Sequence, residues 1–253
     1  MLRLAREFPR NEDKILRDAL AELERAPEEA GKAYYSIPYT DHSTGRIVKV
    51  EGQTIRAAES LGRRWGNIRW AQRVLREDAE YADVESVAVD LETNTWVMKA
   101  ARIPKLEKRR TGQVIPYDER RWSQVLGGAM SKVTRNAILA VLPAYLKSAY
   151  DKKARAIVAG VDPAALASAE TVAAVKATFA KLGVTVEELE KNVERRSGLW
   201  TGDDIADLRG VWNAINTGET TVEAVFRQAP GTGPTSGGPV TVDDLSAAEV
   251  EGR

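Results

Sequence analysis

The chain has 253 residues, 43% of them hydrophobic, enough for one substantial core and a small appendage. It contains no cysteine, which excludes disulfides, Cys-based zinc sites and thiol catalysis, and its single histidine, His42, leaves no His-rich metal site and argues against a His-based nucleophile. No run of about 18 apolar residues occurs and no charged–apolar–small leader opens the chain, so a soluble, unsecreted protein is expected.

Lys+Arg and Asp+Glu balance at 37 each, but the balance hides an asymmetry. Arg46 to Arg76 carries eight basic residues against two acids, and Arg102 to Arg155 thirteen against four. Beyond Pro163 fourteen acids face eight basic residues. A basic front and an acidic rear point to a polyanion-binding domain followed by a segment with another task.

In chain order, residues 11–25 read as an amphipathic helix with Ile15, Leu16, Ala19, Leu20 and Leu23 on one side, Asn11 as N-cap and Pro27 as terminator. KAYYSIPY and GRIVKVEG read as short strands joined by the turn-forming TDHSTG. Gln53 to Trp65 returns to helical period, and Gly66-Asn67 stops it. Three strands follow, Ile68–Arg76, Val84–Leu91 and Thr95–Ile103, the last two joined by a Glu92-Thr93-Asn94 turn. In the first, Ile68, Trp70 and Val74 alternate with Arg69 and Arg73; in the third, Trp96, Met98 and Ala100 oppose Val97, Lys99 and Ala101. The basic connector RIPKLEKRRTGQ is expected to be a loop or the rim of a groove.

A long helix from Trp122 places Leu126, Ala129, Met130, Val133, Ala137 and Val141 on a core-facing stripe, with Arg135 pointing away and Ser131 and Lys132 flanking it. Pro143 breaks it, and a second run, Ala144 to Val158, carries Lys147, Lys152, Lys153 and Arg155. Asp162 as N-cap, Pro163 at the first turn and Gly183 as stop delimit another helix. Short helices follow, capped by Thr185/Glu188 and Thr201/Asp204, with Leu182, Leu189, Trp200, Ile205, Leu208, Trp212, Ile215, Val222 and Phe226 as a miniature core. The Gly/Pro/Ser-rich, acidic remainder is expected to be a disordered tail.

No P-loop, GxGxxG or HExxH motif occurs, and GTGPTSGG lies in the tail with no strand before it. An enzymatic alternative is a metal-dependent nuclease in which Glu85, Asp90 and Glu92 hold Mg²⁺ and Lys99 orients water, although Lys99 lies beyond the turn. A structural adaptor is a third reading. The nucleic-acid reading draws on more positions: Arg63, Arg64, Trp65, Arg69 and Trp70 interleave cations with rings, although both tryptophans also sit on apolar faces suited to a core.

The segments YYSIPYTDHSTGRIVKVEGQTIRAAESLGRRWGN, VAVDLETN and GAMSKVTRNAILAVLPAYL resemble bacteriophage single-strand annealing proteins of the RecT/Redβ-like recombinase superfamily, over residues 32–158. The most specific piece is Ser131, Lys132, Arg135, Asn136, Ala137 and Ile138. The resemblance implies an α+β fold in which a small antiparallel sheet with β-hairpins packs on a long helix, followed by a small all-α module and the tail. It divides the chain into residues 1–30 (N-terminal helix, an oligomer contact), 31–160 (annealing core), 161–227 (helical module) and 228–253 (tail). It implies cofactor-free and metal-free binding of single-stranded DNA and its annealed duplex intermediate, in a ring or helical filament, in the bacterial cytoplasm. The module at residues 184–226 would dock a phage exonuclease or the host single-strand-binding protein.

On this sequence the implied DNA groove lies between sheet and helix, lined by Lys132, Arg135 and Asn136 beside Ser131, and by charge alone Arg63, Arg64 and Arg69 join it near the helix–strand junction. By charge, Lys99, Arg102, Lys105, Lys108, Arg109 and Arg110 form the other wall, and Lys147, Lys152 and Lys153 extend it.

Overall fold

The computed structural model describes residues 2–40, 47–108, 113–160 and 162–227, in a mixed α+β fold with small antiparallel sheets. The expectations placed on His42 and its turn, on Arg109 and Arg110, on the side chain of Lys108 and on the tail at 228–253 lie outside the described residues.

The elements in order are α1 (Leu2–Glu7), α2 (Glu12–Arg25), α3 (Pro27–Ala30), β1 (Tyr34–Thr40), β2 (Ile47–Gln53) and α4 (Ile55–Trp65). Next come β3 (Ile68–Glu77), β4 (Tyr81–Asp90), β5 (Thr95–Pro104), β6 (Leu106–Lys108) and β7 (Val114–Pro116). Helices α5 (Glu119–Val141), α6 (Ala144–Ala159), α7 (Ala169–Ala180), α8 (Val186–Val193), α9 (Gly202–Asn216) and α10 (Val222–Phe226) complete the described chain. The connector expected as a loop is in part the β6–β7 hairpin. No single helix among the described residues is long and apolar enough to cross a membrane.

Contacts group the described chain into two compact units, residues 2–15 with 58–144 and residues 16–57 with 145–227. The division therefore runs through α2 and α4, not near residue 160. Sequence order misled here because the first hairpin finds its partners far along the chain.

The first unit is organised on the antiparallel sheet β3-β4-β5. Alternation in the central strand is complete: Ala82, Val84, Ser86, Ala88 and Asp90 are buried while the residues between them are half-buried. The buried set faces α5, where Val84 and Ile103 meet Ala129 and Val133, with Leu126 and Met130 packed alongside. Asp118 caps α5 by accepting from the Arg121 N–H at 2.8 Å. Leu142 ends it in extended conformation, as the residue before a proline must. Gly66 and Asn67, at φ 69° and 50°, terminate α4 in the left-handed region.

In the second unit β1 pairs with β2 and packs on α9. Tyr34 donates its hydroxyl to the Ala206 carbonyl at 2.8 Å, and Asn213 Nδ2 donates to the carbonyls of Gly31 and Tyr34, each at 2.7 Å. Burial, together with the carboxylates of Asp207 and Asp151, raises the pKa of the Tyr34 hydroxyl against the pull of Arg155, so it stays a donor. The helical core gathers Phe179, Leu189, Trp200, Ile205 and Leu208, and Trp212 and Phe226 each set an edge against the Phe179 ring at 5.8 Å. Both predicted capping boxes form, at Thr185/Glu188 and Thr201/Asp204. Helix α7 starts later than expected. Ser168 caps it, Asp162 instead accepts from the Ala164 N–H, and Leu166 bridges to Thr201.

Close approach of β1 to α9 depends on Gly210, where an added Cβ would lie 2.7 Å from the Ser36 Cβ and 2.9 Å from its backbone N. Gly210→Ala is expected to destabilise by about 1–3 kcal/mol through overpacking. A urea midpoint equal to that of the wild type would show that hairpin and helix can part without cost.

Candidate nucleic-acid interface

Because strand residues alternate, the sheet sorts the predicted cations onto two faces. Lys99 pairs with Ser86, a residue of the buried set, so it stands on the α5 side of the edge strand, exposed. Thr134 of α5 donates its hydroxyl to Gln72 of β3. The opposite flank of the helix, carrying Lys132 and Asn136, therefore lies toward β5. Both are exposed, and Ser131, half-buried, donates its hydroxyl to the Gly127 carbonyl at 2.9 Å. The structure thus brings Lys99, Lys132 and Asn136 to one side of the helix–sheet sandwich.

Other predicted residues go elsewhere. Arg135, expected to point to solvent, is 5% exposed, and its Nε–H donates to Asn136 Oδ1 at 3.2 Å. The expectation assumed one buried stripe. The C-terminal half of α5 is in fact packed on a second side, where Ile138 lies against Gly62 of α4. Arg69 pairs with Val89 and Arg102 with Asp83, so both occupy the outer face of the sheet, away from α5. Arg102 is held there by bidentate bonds to Asp83 at 2.7 and 2.9 Å.

Lys105 is fastened to Glu77 at 2.7 Å and lies 5.1 Å from the Trp122 ring centroid. The hydrogen bonds from Lys105 and then from Trp122 hold the Glu77 carboxyl below its ordinary pKa. Arg63 is exposed at the end of α4, loosely paired with Glu59 at 3.3 Å, and Arg64 beside it is half-buried. Lys147, Lys152 and Lys153 belong to the second unit; Lys153 pairs with Glu24 at 2.5 Å and Lys152 is exposed. Trp65 is core, 4% exposed, with the Arg10 guanidinium 4.7 Å from its ring centroid.

Arg10 was missed by sequence reasoning, and it resolves the carboxylate cluster. Its guanidinium donates to both Asp90 oxygens at 2.7 and 2.5 Å and to Glu92 at 2.6 Å, and its backbone N–H also donates to Glu92. Asn67 donates to the same Glu92 and to the Ala5 and Phe8 carbonyls, so the N-terminal segment is buckled to the end of the sheet. The nuclease constellation is not assembled. Glu85 lies on the outer face opposite Arg73, and Lys99 stands four residues along β5 from Thr95, the partner of Asp90, roughly 13 Å at strand rise. Among the described residues no group of three or more His, Asp or Glu is placed to hold a metal ion.

Burial pushes the Glu92 carboxyl up, but the hydrogen bonds from Asn67 and Arg10 outweigh it and hold its pKa below the ordinary 4.5. A depressed folded-state pKa stabilises fully above the unfolded value and is lost as pH falls through the folded one. Stability of the wild type is therefore expected to fall below about pH 4.5, and Glu92→Gln, less stable at neutral pH, to show a flatter acid limb in urea titrations. Parallel acid limbs would remove Glu92 from the buckle.

No protein-family model, no curated protein and no solved structure matches the chain. The site therefore stands on its own geometry.

Proposed function

We propose that this chain binds single-stranded DNA and anneals complementary strands without metal or nucleotide, acting as a homo-oligomer in the manner of the RecT/Redβ-like annealing proteins it resembles. The observation that carries the reading is the exposed trio Lys99, Lys132 and Asn136 on one flank of a sheet-and-helix sandwich. Of these, Lys132 and Asn136 come from the segment that resembles the family most specifically. Two lysines offer phosphate neutralisation, and the Asn136 amide N–H groups offer hydrogen bonding to sugar-phosphate. Sequence information would come from pairing between the two strands themselves.

On this reading residues 184–226 serve as the docking module for an exonuclease or single-strand-binding protein. The surface of that module, where Glu187, Asp203 and Glu223 are exposed, suits a protein partner better than a second DNA contact.

Annealing of complementary oligonucleotides is expected to proceed in EDTA, with log affinity for single strands falling linearly with log salt at a slope of about −0.7 per phosphate contact. Cleavage appearing only with Mg²⁺ would support the nuclease instead, and absence of DNA affinity at low salt would support the adaptor.

A further inference from the structure

The outer face of the β3-β4-β5 sheet is open, and its register sets out four rows: Arg69–Val89–Trp96, Ala71–Val87–Met98, Arg73–Glu85–Ala100 and Arg76–Asp83–Arg102. Trp96 and Met98 are 64% and 52% exposed, large apolar side chains that a sheet turned to water does not ordinarily display side by side. Val87 and Val89 continue the same apolar patch across the central strand. Arginines 69, 73 and 76 form a separate line along β3. The face is thus flat and apolar over the end of β4 and the start of β5, and cationic along β3.

We propose that this face is a second binding surface for single-stranded nucleic acid, on which a base stacks on Trp96 beside Met98 while phosphates follow the arginines of β3. The inference rests on the single-stranded DNA reading and adds to it a contact that recognises the flat face of a base. The distance across two strand spacings, roughly 10 Å, matches a nucleotide laid with its phosphate on one edge and its base on the other. Arg69 has its described bond only to the carbonyl of Ile68, so it keeps donors for a phosphate. Arg73 and Arg76 are 70% and 71% exposed in spite of their pairs with Glu85 and Asp78, and such solvated pairs are weak enough to be exchanged for phosphate. Net charge also disfavours a second copy of this face as occupant, since its four arginines outnumber the carboxylates of Asp83 and Glu85.

The test measures binding of an oligothymidylate of about twenty nucleotides, a length that spans more than one 4–16-nucleotide footprint, in EDTA at low salt. A matched strand made of abasic sites serves as the comparison. Trp96→Ala is expected to lose about tenfold in affinity with an unchanged salt slope, since stacking on a ring holds the base without neutralising a phosphate. Trp96→Phe should recover most of the loss, and the abasic strand should bind wild type and Trp96→Ala equally weakly. Equal affinity of wild type and Trp96→Ala for the oligothymidylate would overturn the stacking surface while leaving the DNA reading intact. A wild type that binds neither strand would overturn both. A loss in Trp96→Ala that sedimentation traces to a smaller assembly would show that the face joins copies of the chain, and would also overturn the proposal.

Discussion

Arg10→Ala is expected to lower the unfolding free energy by about 3–5 kcal/mol, the cost of leaving a buried carboxylate without its cation. Arg10 and Asp90 side chains are 6% and 5% exposed, and the same guanidinium serves Glu92 and covers Trp65. Removing it strands two carboxylates and uncovers an aromatic ring at once. Thermal and urea unfolding should both report the loss. If the cause is uncompensated charge, Asp90→Asn with Glu92→Gln in the Arg10→Ala background should recover part of the stability. No recovery would assign the loss to packing against Trp65 alone. The same experiment addresses the nuclease alternative, because a carboxylate pair kept for metal would bind a divalent ion more tightly once Arg10 is gone.

The second large effect is functional. Lys99→Glu with Lys132→Glu is expected to reduce single-strand affinity at low salt by on the order of tenfold or more and to shrink the salt slope by about 0.7 for each lost phosphate contact. Both side chains are exposed, so the unfolding midpoint should stay within experimental error of the wild type. An unchanged slope in the double variant would take the β5 flank of α5 out of the site. Arg135 is the instructive contrast. Reversing its charge would force an anion into a buried position and report folding, not binding.

Local rules were readable wherever one residue decides one geometry. Asn11 does cap α2, accepting from the Lys14 N–H at 2.9 Å; Gly66-Asn67 does end α4; both capping boxes form; Pro143 does separate α5 from α6. The three-strand sheet, the long helix over it and the helical core around Trp200 were also legible, because each rests on an unbroken periodicity.

Long-range pairing was not. Nothing local announces that β1 will pack on α9, or that Arg10 will reach Asp90 eighty residues away. Arg135 was misplaced for a related reason: a helical wheel knows one buried side, and α5 has two near its C-terminus. The split of Lys99 from Arg102 was legible but overlooked, since residues three apart on a strand must face opposite ways. The same parity put Trp96 and Met98 on the open face beside the β3 arginines, a grouping that charge counting alone does not reveal.

The most direct test is the affinity of the full chain for an unstructured oligonucleotide across a salt series in EDTA, with strand annealing followed in the same samples. Tight binding at low salt, a steep linear fall of log affinity with log salt, and annealing faster than the protein-free rate are expected. Affinity that is absent at low salt, or present but indifferent to salt, would contradict the single-stranded DNA reading.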